Sequence, residues 1–150
     1  MYKRQSDSFA PVAYPYNFLQ RDTSTLALNV LDQTFYEKTN LGEAYFVLNL
    51  FDDPAIVASC YDEYYEPETA VGPVTINGIP FEEIIAVGVA AGNLYDQTIY
   101  STVQNNVCME VVFFMHYGNI GNYTPGLVTE FDRDALIQMF DDVLGTLTIK

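Results

Sequence analysis

The residue types that perform nucleophilic chemistry are scarce in this chain, and their spacing argues against a catalytic pair. The sequence has one histidine, His116, and two cysteines. A Ser-His or Cys-His mechanism needs the base within hydrogen-bond reach of the nucleophile. Cys108 and His116 fall on one predicted strand, where a spacing of about 3.3 Å per residue separates them by roughly 26 Å. No Gly-x-Ser-x-Gly motif surrounds Ser59 or Ser101, and we expect no enzymatic activity.

His116 is instead predicted to lie at a strand end and to bond a neighbouring loop. Carboxylates are plentiful, but no spacing among them singles out a glycosidase-like pair.

Acidic side chains crowd one segment that is otherwise rich in turns. Hard oxygen atoms are the ligands that Ca²⁺ takes. The candidate calcium ligands are Asp62, Glu63, Glu66 and Glu68. Their spacing differs from that of an EF-hand, and a solvated acidic loop without metal explains the same residues. Calcium is the one cofactor that the sequence suggests.

Several tyrosines fall in predicted arms and loops, where a core does not need them. Tyr is enriched at interfaces because its ring buries a large rigid surface while its hydroxyl stays polar. The candidate contact residues are Tyr14, Tyr16, Tyr61, Tyr64 and Tyr65. The alternative is that these tyrosines cover the edges of an ordinary core.

A glycosylation sequon, Asn122-Tyr123-Thr124, makes Asn122 a candidate attachment site, although Pro125 follows it.

The composition predicts one acidic globular domain. The 150 residues include 20 Asp and Glu against 6 Lys and Arg, a formal net charge of −14. Apolar residues form 49% of the chain, too many for a disordered acidic tail. The charge excludes proteins that bind nucleic acid or anionic lipid through phosphates, because Lys and Arg supply that attraction. The longest apolar run, residues 84–92, is far shorter than the roughly 20 residues of a transmembrane helix.

The hydrophobic pattern predicts mostly strands. Apolar or alternating runs predict them over residues 9–16 (an edge strand or arm), 25–30, 43–51, 84–89, 98–104, 107–116 and 146–149. Asn77-Gly78 predicts a tight hairpin within residues 74–81, because both positions of that turn need positive φ. Asn105-Asn106 predicts a second hairpin. Residues 61–72 and 118–126 are predicted loops.

Two helices complete the expected fold. Asp53 before Pro54 is a helix-start signal, and this short helix should end near Cys60. Asp132 is expected to cap a second helix that Gly145 ends. Its apolar stripe consists of Leu136, Ile137, Phe140, Val143 and Leu144. We therefore predict an α+β domain: a mostly antiparallel sheet, a short helix after the central strand, and a C-terminal amphipathic helix packed on one face.

Several short motifs share their order with a known family. They are TNLGEAYF (39–46), INGIPF (76–81), GNLY (92–95), Cys108, HYGNIGNY (116–123) and EFD (130–132). In this order, over roughly residues 9–150, the chain resembles an uncharacterised family of bacterial secreted proteins and lipoproteins with a PsbP-like domain. The family more often has a basic residue in place of Leu94, and Ser-Thr in place of Tyr117-Gly118. The resemblance implies a sheet-and-helix fold and an extracytoplasmic location, and it implies no activity.

In an acidic extracytoplasmic chain, Cys60 and Cys108 favour a structural disulfide. The alternative is two buried, unpaired thiols. A zinc site is poorly supported, because one His and two separated Cys do not supply four ligands.

The first five residues, MYKRQ, resemble a translated sequencing adapter, which points to a metagenomic library. We interpret residues 1–8 as an adapter scar with a disordered start and residues 9–150 as the domain. The true beginning of the gene, with a signal peptide or lipid anchor, is then expected upstream. An ordinary start methionine is the alternative.

Two functions fit these observations. The first is a non-enzymatic extracytoplasmic domain, secreted, periplasmic or on the cell surface, that binds a protein partner or contributes to the cell envelope. The second is a self-assembling surface or filament subunit, in which residues 9–16 act as an intersubunit strand.

Overall fold

One antiparallel sheet and two helices make up the fold in the computed structural model, which describes residues 8–15, 24–60 and 70–149. The strands are β1 (Phe9–Val12), β2 (Ser24–Val30), β3 (Leu41–Phe51), β4 (Ala70–Ile76), β5 (Ile79–Ala90), β6 (Asn93–Gln104) and β7 (Val107–Gly118), and the helices are α1 (Pro54–Ala58) and α2 (Arg133–Leu144). The strand order in the sheet is β1-β2-β3-β7-β6-β5-β4. This architecture confirms the predicted α+β class.

Two-residue turns connect the strands from β4 to β7. The turns Asn77-Gly78 (φ 51° and 77°) and Asn105-Asn106 (φ 52° and 60°) confirm both predicted hairpins. A third turn, Ala91-Gly92 (φ 51° and 80°), was not predicted. Alanine tolerates positive φ less well than Asn or Gly, so only Gly92 of this pair favours a turn. Because of this turn, β6 begins at Asn93 rather than at residue 98.

The structure changes three other predicted elements. Residues 84–89 are the second half of β5, and residues 70–72 of the predicted loop belong to β4. The last predicted strand, residues 146–149, is wrong. The amides of Thr146 and Leu147 bond within the last turn of α2, and Asn77 Nδ2 donates to the carbonyls of Gly145 and Leu147 at 2.9 Å. These backbone groups are therefore engaged outside a sheet.

Both helices begin at the predicted aspartates. Asp53 Oδ1 accepts the Ala55 amide at 2.8 Å, and Asp132 Oδ1 accepts the Ala135 amide at 3.0 Å. No helix among the described residues is long and apolar enough to cross a membrane.

The central strands of the sheet are buried on both faces. On the α2 face, the Phe113 ring lies 4.9 Å from that of Phe140 and 5.8 Å from that of Phe46. On the opposite face, Val47 and Phe114 are fully buried. Since successive residues of a strand point to opposite faces, the interior strands are nearly continuous apolar runs, as predicted for residues 43–51.

Candidate functional site

Most of the motif residues converge at one end of the sheet. The start of β3 pairs with the end of β7 (Leu41 with Tyr117), and the start of β6 pairs with the same end (Asn93 with Gly118). Residues 119–132 leave β7 at this point and lead into α2. We call the cluster formed by the starts of β3 and β6, the end of β7 and residues 119–132 the motif end.

Asn40 ties three segments together at the motif end. Its Nδ2 donates to the Gly118 carbonyl at 2.9 Å, and its Oδ1 accepts the Phe131 amide at 2.9 Å. The backbone of Asn40 also accepts from the Gly118 amide and donates to the Thr129 carbonyl. Asn40 is buried. Its side-chain amide supplies the hydrogen bonds that the Gly118 carbonyl and the Phe131 amide would otherwise make to water. Its role is to close residues 119–131 onto the sheet.

The NIGNY segment (119–123) is held by close backbone approach. The carbonyl of Gly92 accepts from the Asn119 amide at 2.9 Å and from Asn122 Nδ2 at 3.2 Å. A Cβ at Gly118 would lie 2.4 Å from the Tyr123 hydroxyl, and a Cβ at Gly92 would lie 2.4 Å from Asn122 Nδ2. Both glycines therefore leave space for side chains of this segment. Asn122, the predicted glycosylation site, is exposed but already bonded through its amide.

His116 lies on the face opposite α2, in a polar cluster that joins β3, β6 and β7. Its Nδ1 is 2.8 Å from Glu43 Oε2, and its Nε2 is 3.1 Å from Asn93 Oδ1. Asn93 Nδ2 donates to the Ala91 carbonyl at 3.3 Å, which turns the amide oxygen toward the imidazole. The Tyr95 ring stacks on the imidazole, with centroids 4.5 Å apart and planes at 9°.

The chemistry of this cluster follows from its acceptors. Each imidazole nitrogen faces an oxygen atom, one of the Glu43 carboxylate and one of the Asn93 amide, so both nitrogens are engaged within the cluster. A general base needs a nitrogen that accepts a proton from substrate or nucleophile. Here the His116 side chain links three strands, because His116 of β7 contacts Glu43 of β3 and Asn93 of β6. The prediction that it bonds a loop is wrong, because Glu43 and Asn93 belong to neighbouring strands.

A second polar pair lies on the α2 face of the same strands. Asp96 is buried, and its Oδ2 accepts from Arg133 Nη1 and, at 3.5 Å, from the Tyr117 hydroxyl. Burial raises the pKa of Tyr117, and the nearby Asp96 carboxylate raises it further. Arg133 is the first residue of α2, so this pair fixes the start of the helix on the sheet. Sequence reasoning missed it, although Arg133 is the first basic residue after Lys38.

The cysteines lie at the opposite end of the sheet. Cys60 follows α1 and Cys108 is the second residue of β7, and a disulfide joins them. Both are almost completely buried, beside Phe51 and the apolar side chains of α1. The predicted pairing is confirmed. It also removes Cys108 as a free nucleophile.

Of the other predicted site residues, the structure describes only Tyr14. Tyr14 packs edge-on against Tyr45 and Phe114, with centroids 5.7 and 6.0 Å away, so its ring covers the sheet face. The remaining predicted contact tyrosines (Tyr16, Tyr61, Tyr64 and Tyr65) and all four predicted calcium ligands lie outside the described residues. Within the part that the structure describes, no group of three or more His, Cys, Asp or Glu is arranged to hold a metal ion. Calcium therefore stays a prediction.

An exposed apolar surface lies on β5, next to the motif end. Three alternate residues of this strand, Ile85, Val87 and Val89, are 40%, 53% and 73% exposed. Their pairing with β6 sets Val87 opposite Asp96 and Val89 opposite Leu94, which places all three on the α2 face. Sequence reasoning predicted a strand here but not its exposure. Single exposed apolar residues are common, so the contiguous row of three is the unusual feature of this strand.

No family model, curated protein or solved structure matches this chain. The resemblances to the PsbP-like family and to an adapter therefore stay predictions.

Proposed function

We propose that this chain is a non-enzymatic extracytoplasmic domain that binds a protein partner. The observation that carries the proposal is the exposed apolar stripe on β5, a surface that none of the described elements covers. Ile85, Val87 and Val89 are 40%, 53% and 73% exposed, and contiguous exposed apolar residues are typical of protein contact surfaces. The disulfide supports an extracytoplasmic compartment, since such bonds form and persist in oxidising environments.

The bonding of the reactive residues supports a binding role over catalysis. The single histidine is engaged at both ring nitrogens, and the two cysteines are bonded to each other. The acidic surface supports the same proposal, because a large net charge keeps a secreted domain soluble and discourages indiscriminate contact.

The alternative, a self-assembling subunit, depends on where residues 9–16 pair. Residues Phe9–Val12 pair with β2 of the same chain, from Phe9 opposite Val30 to Val12 opposite Ala27. Phe9 is buried in the same core cluster as Val30. This intramolecular pairing favours the binding domain, because a strand that completes its own sheet is not available to a neighbour.

Purified protein exported to a bacterial periplasm tests the proposal. We expect no free thiols after alkylation and mass spectrometry. We also expect no hydrolysis of p-nitrophenyl esters, phosphates or glycosides beyond that of the His116→Ala variant. Turnover that disappears in His116→Ala, while its thermal unfolding matches the wild type, would reject a non-enzymatic role. Free thiols in the exported protein would reject the compartment.

A further inference from the structure

Half of β5 forms a sheet edge without a described partner. Among the described residues, β4 pairs with β5 from Ile76 opposite Ile79 to Ala70 opposite Ile84, whereas β6 pairs with β5 through to Ala90. Residues 85–90 are therefore bonded to β6 on one side, and no strand among the described residues covers the other side. An open edge presents backbone N–H and C=O groups that can pair with another chain.

The other edges of the sheet carry features that discourage such pairing. β1 has four residues, one of which is Pro11. β4 has a register shift next to Gly72, followed by Pro73. Proline, bulges, short strands and charged side chains are the usual means of protecting an edge. Residues 85–90 contain no proline and no charge, and their pairing with β6 is regular.

The side chains along this edge favour an extended chain as the occupant. Ile85, Val87 and Val89 offer an exposed apolar row on one face. The residues that alternate with them are Ala86, Gly88 and Ala90, whose small size leaves the other face unobstructed. Alternate apolar positions match the period of a strand, so an added strand would place every second side chain against the row.

Acidic side chains at one end of this edge indicate which side chain a bound segment carries there. Glu83 lies two residues before Ile85 and on the same face, opposite Tyr100. Burial raises the pKa of Glu83, and the Asp141 carboxylate on α2 raises it further. Gly72 pairs with Glu83, and nothing lies within 4 Å of the position that its Cβ would take. A cationic side chain of a bound strand has room here to meet two carboxylates that repel each other.

We propose that residues 85–90 bind an extended segment of another protein by strand addition, and that this segment has apolar alternate residues and a Lys or Arg at the end beside Glu83. The inference rests on the proposed binding function and names the partner's chemistry. A second copy of this chain fits less well, because pairing two such edges brings no cation to Glu83. Of the cations in the described part, Arg133 is bound to Asp96 and Lys38 lies outside any strand.

Selection from a phage-displayed library of random 12-residue peptides tests the proposal. We expect recovered peptides to alternate β-branched or aromatic residues with polar ones and to carry Lys or Arg at one end. By fluorescence anisotropy, Val87→Lys should weaken their binding about tenfold or more, through lost apolar burial and a charged edge. Leu127→Lys is the matched control, since Leu127 is also exposed (65%) but lies in a loop. This variant should bind like the wild type.

Two further comparisons sharpen the test. Glu83→Gln should reduce the preference for peptides with a terminal Arg over the same peptides with Gln, whereas Glu82→Gln, on the opposite face, should preserve it. Recovery of no peptides, or of peptides that bind Val87→Lys as well as wild type, would overturn the proposal. A wild-type dimer that Val87→Lys converts to monomer would overturn it in favour of a second copy. Failure here leaves the thiol and turnover tests of the proposed function unaffected, so the two failures are distinguishable.

Discussion

Asn40 is the residue on which the closure of the motif end depends. Replacing it with Ala would leave the Phe131 amide and the Gly118 carbonyl without their side-chain partner. Unsatisfied buried groups cost about 1–3 kcal/mol each, so Asn40→Ala should lower the free energy of unfolding by about 2–4 kcal/mol in urea titrations. Asn122→Ala, which removes one exposed amide, should cost less than about 1 kcal/mol. Equal losses in the two variants would contradict the role assigned to Asn40.

The raised pKa values of Glu83 and Asp141 predict that the protein becomes more stable as the pH falls. Burial raises the pKa of both carboxyls, and a neighbouring carboxylate raises each further, Asp141 for Glu83 and Asp142 for Asp141. A raised pKa in the folded state means that stability is gained as the pH falls through that pKa and is lost as the pH rises through it. Glu83→Gln should therefore stabilise the protein at neutral pH, by no more than about 0.5 kcal/mol at this partly exposed site.

The benefit of Glu83→Gln should vanish below the ordinary pKa of glutamic acid, where the wild-type side chain is protonated in both states. Glu82→Gln, on the opposite face of β5, is the control for a general effect of charge removal. Thermal unfolding between acid and neutral pH measures both. A gain for Glu83→Gln that persists unchanged in acid would show that repulsion is not its cause.

At the scale of elements, the disulfide fixes α1 to the sheet. It closes a separation of 48 residues, for which the chain-entropy model gives a stabilisation of about 4 kcal/mol. The double variant Cys60→Ala/Cys108→Ala should lose about this amount in urea unfolding, and wild type unfolded with a reductant should match it. Unchanged stability in both would mean that the bond does not constrain the unfolded chain.

The elements also show what the sequence can predict here. Helix starts at Asp53 and Asp132 and the hairpins at Asn77-Gly78 and Asn105-Asn106 have local causes, so local patterns predicted them. The strand predicted over residues 146–149 is wrong because Asn77, distant in sequence, donates to the carbonyls of Gly145 and Leu147. For the same reason the partners of His116 were not predicted: Glu43 lies 73 residues away and Asn93 23 residues away. Strand register, which no local signal specifies, brings them together.

At the scale of the whole molecule, a net charge of −14 should make stability depend on salt. Repulsion among surface carboxylates weakens as the Debye length falls from about 30 Å at 0.01 M salt to about 8 Å at 0.15 M. The midpoint of thermal unfolding should therefore rise by a few degrees when NaCl is raised over this range, while sucrose of equal osmolality should give a smaller rise. A midpoint that falls with NaCl would contradict net repulsion.

The central claim is that this is a self-contained domain that binds another protein rather than a subunit that builds a polymer. Light scattering on oxidised protein, without reductant and over a range of concentrations, tests it most directly. We predict a single species near the chain mass of 16.9 kDa. A large or concentration-dependent mass that collapses when residues 6–24 are deleted would contradict the claim, because the first strand would then be donated between copies.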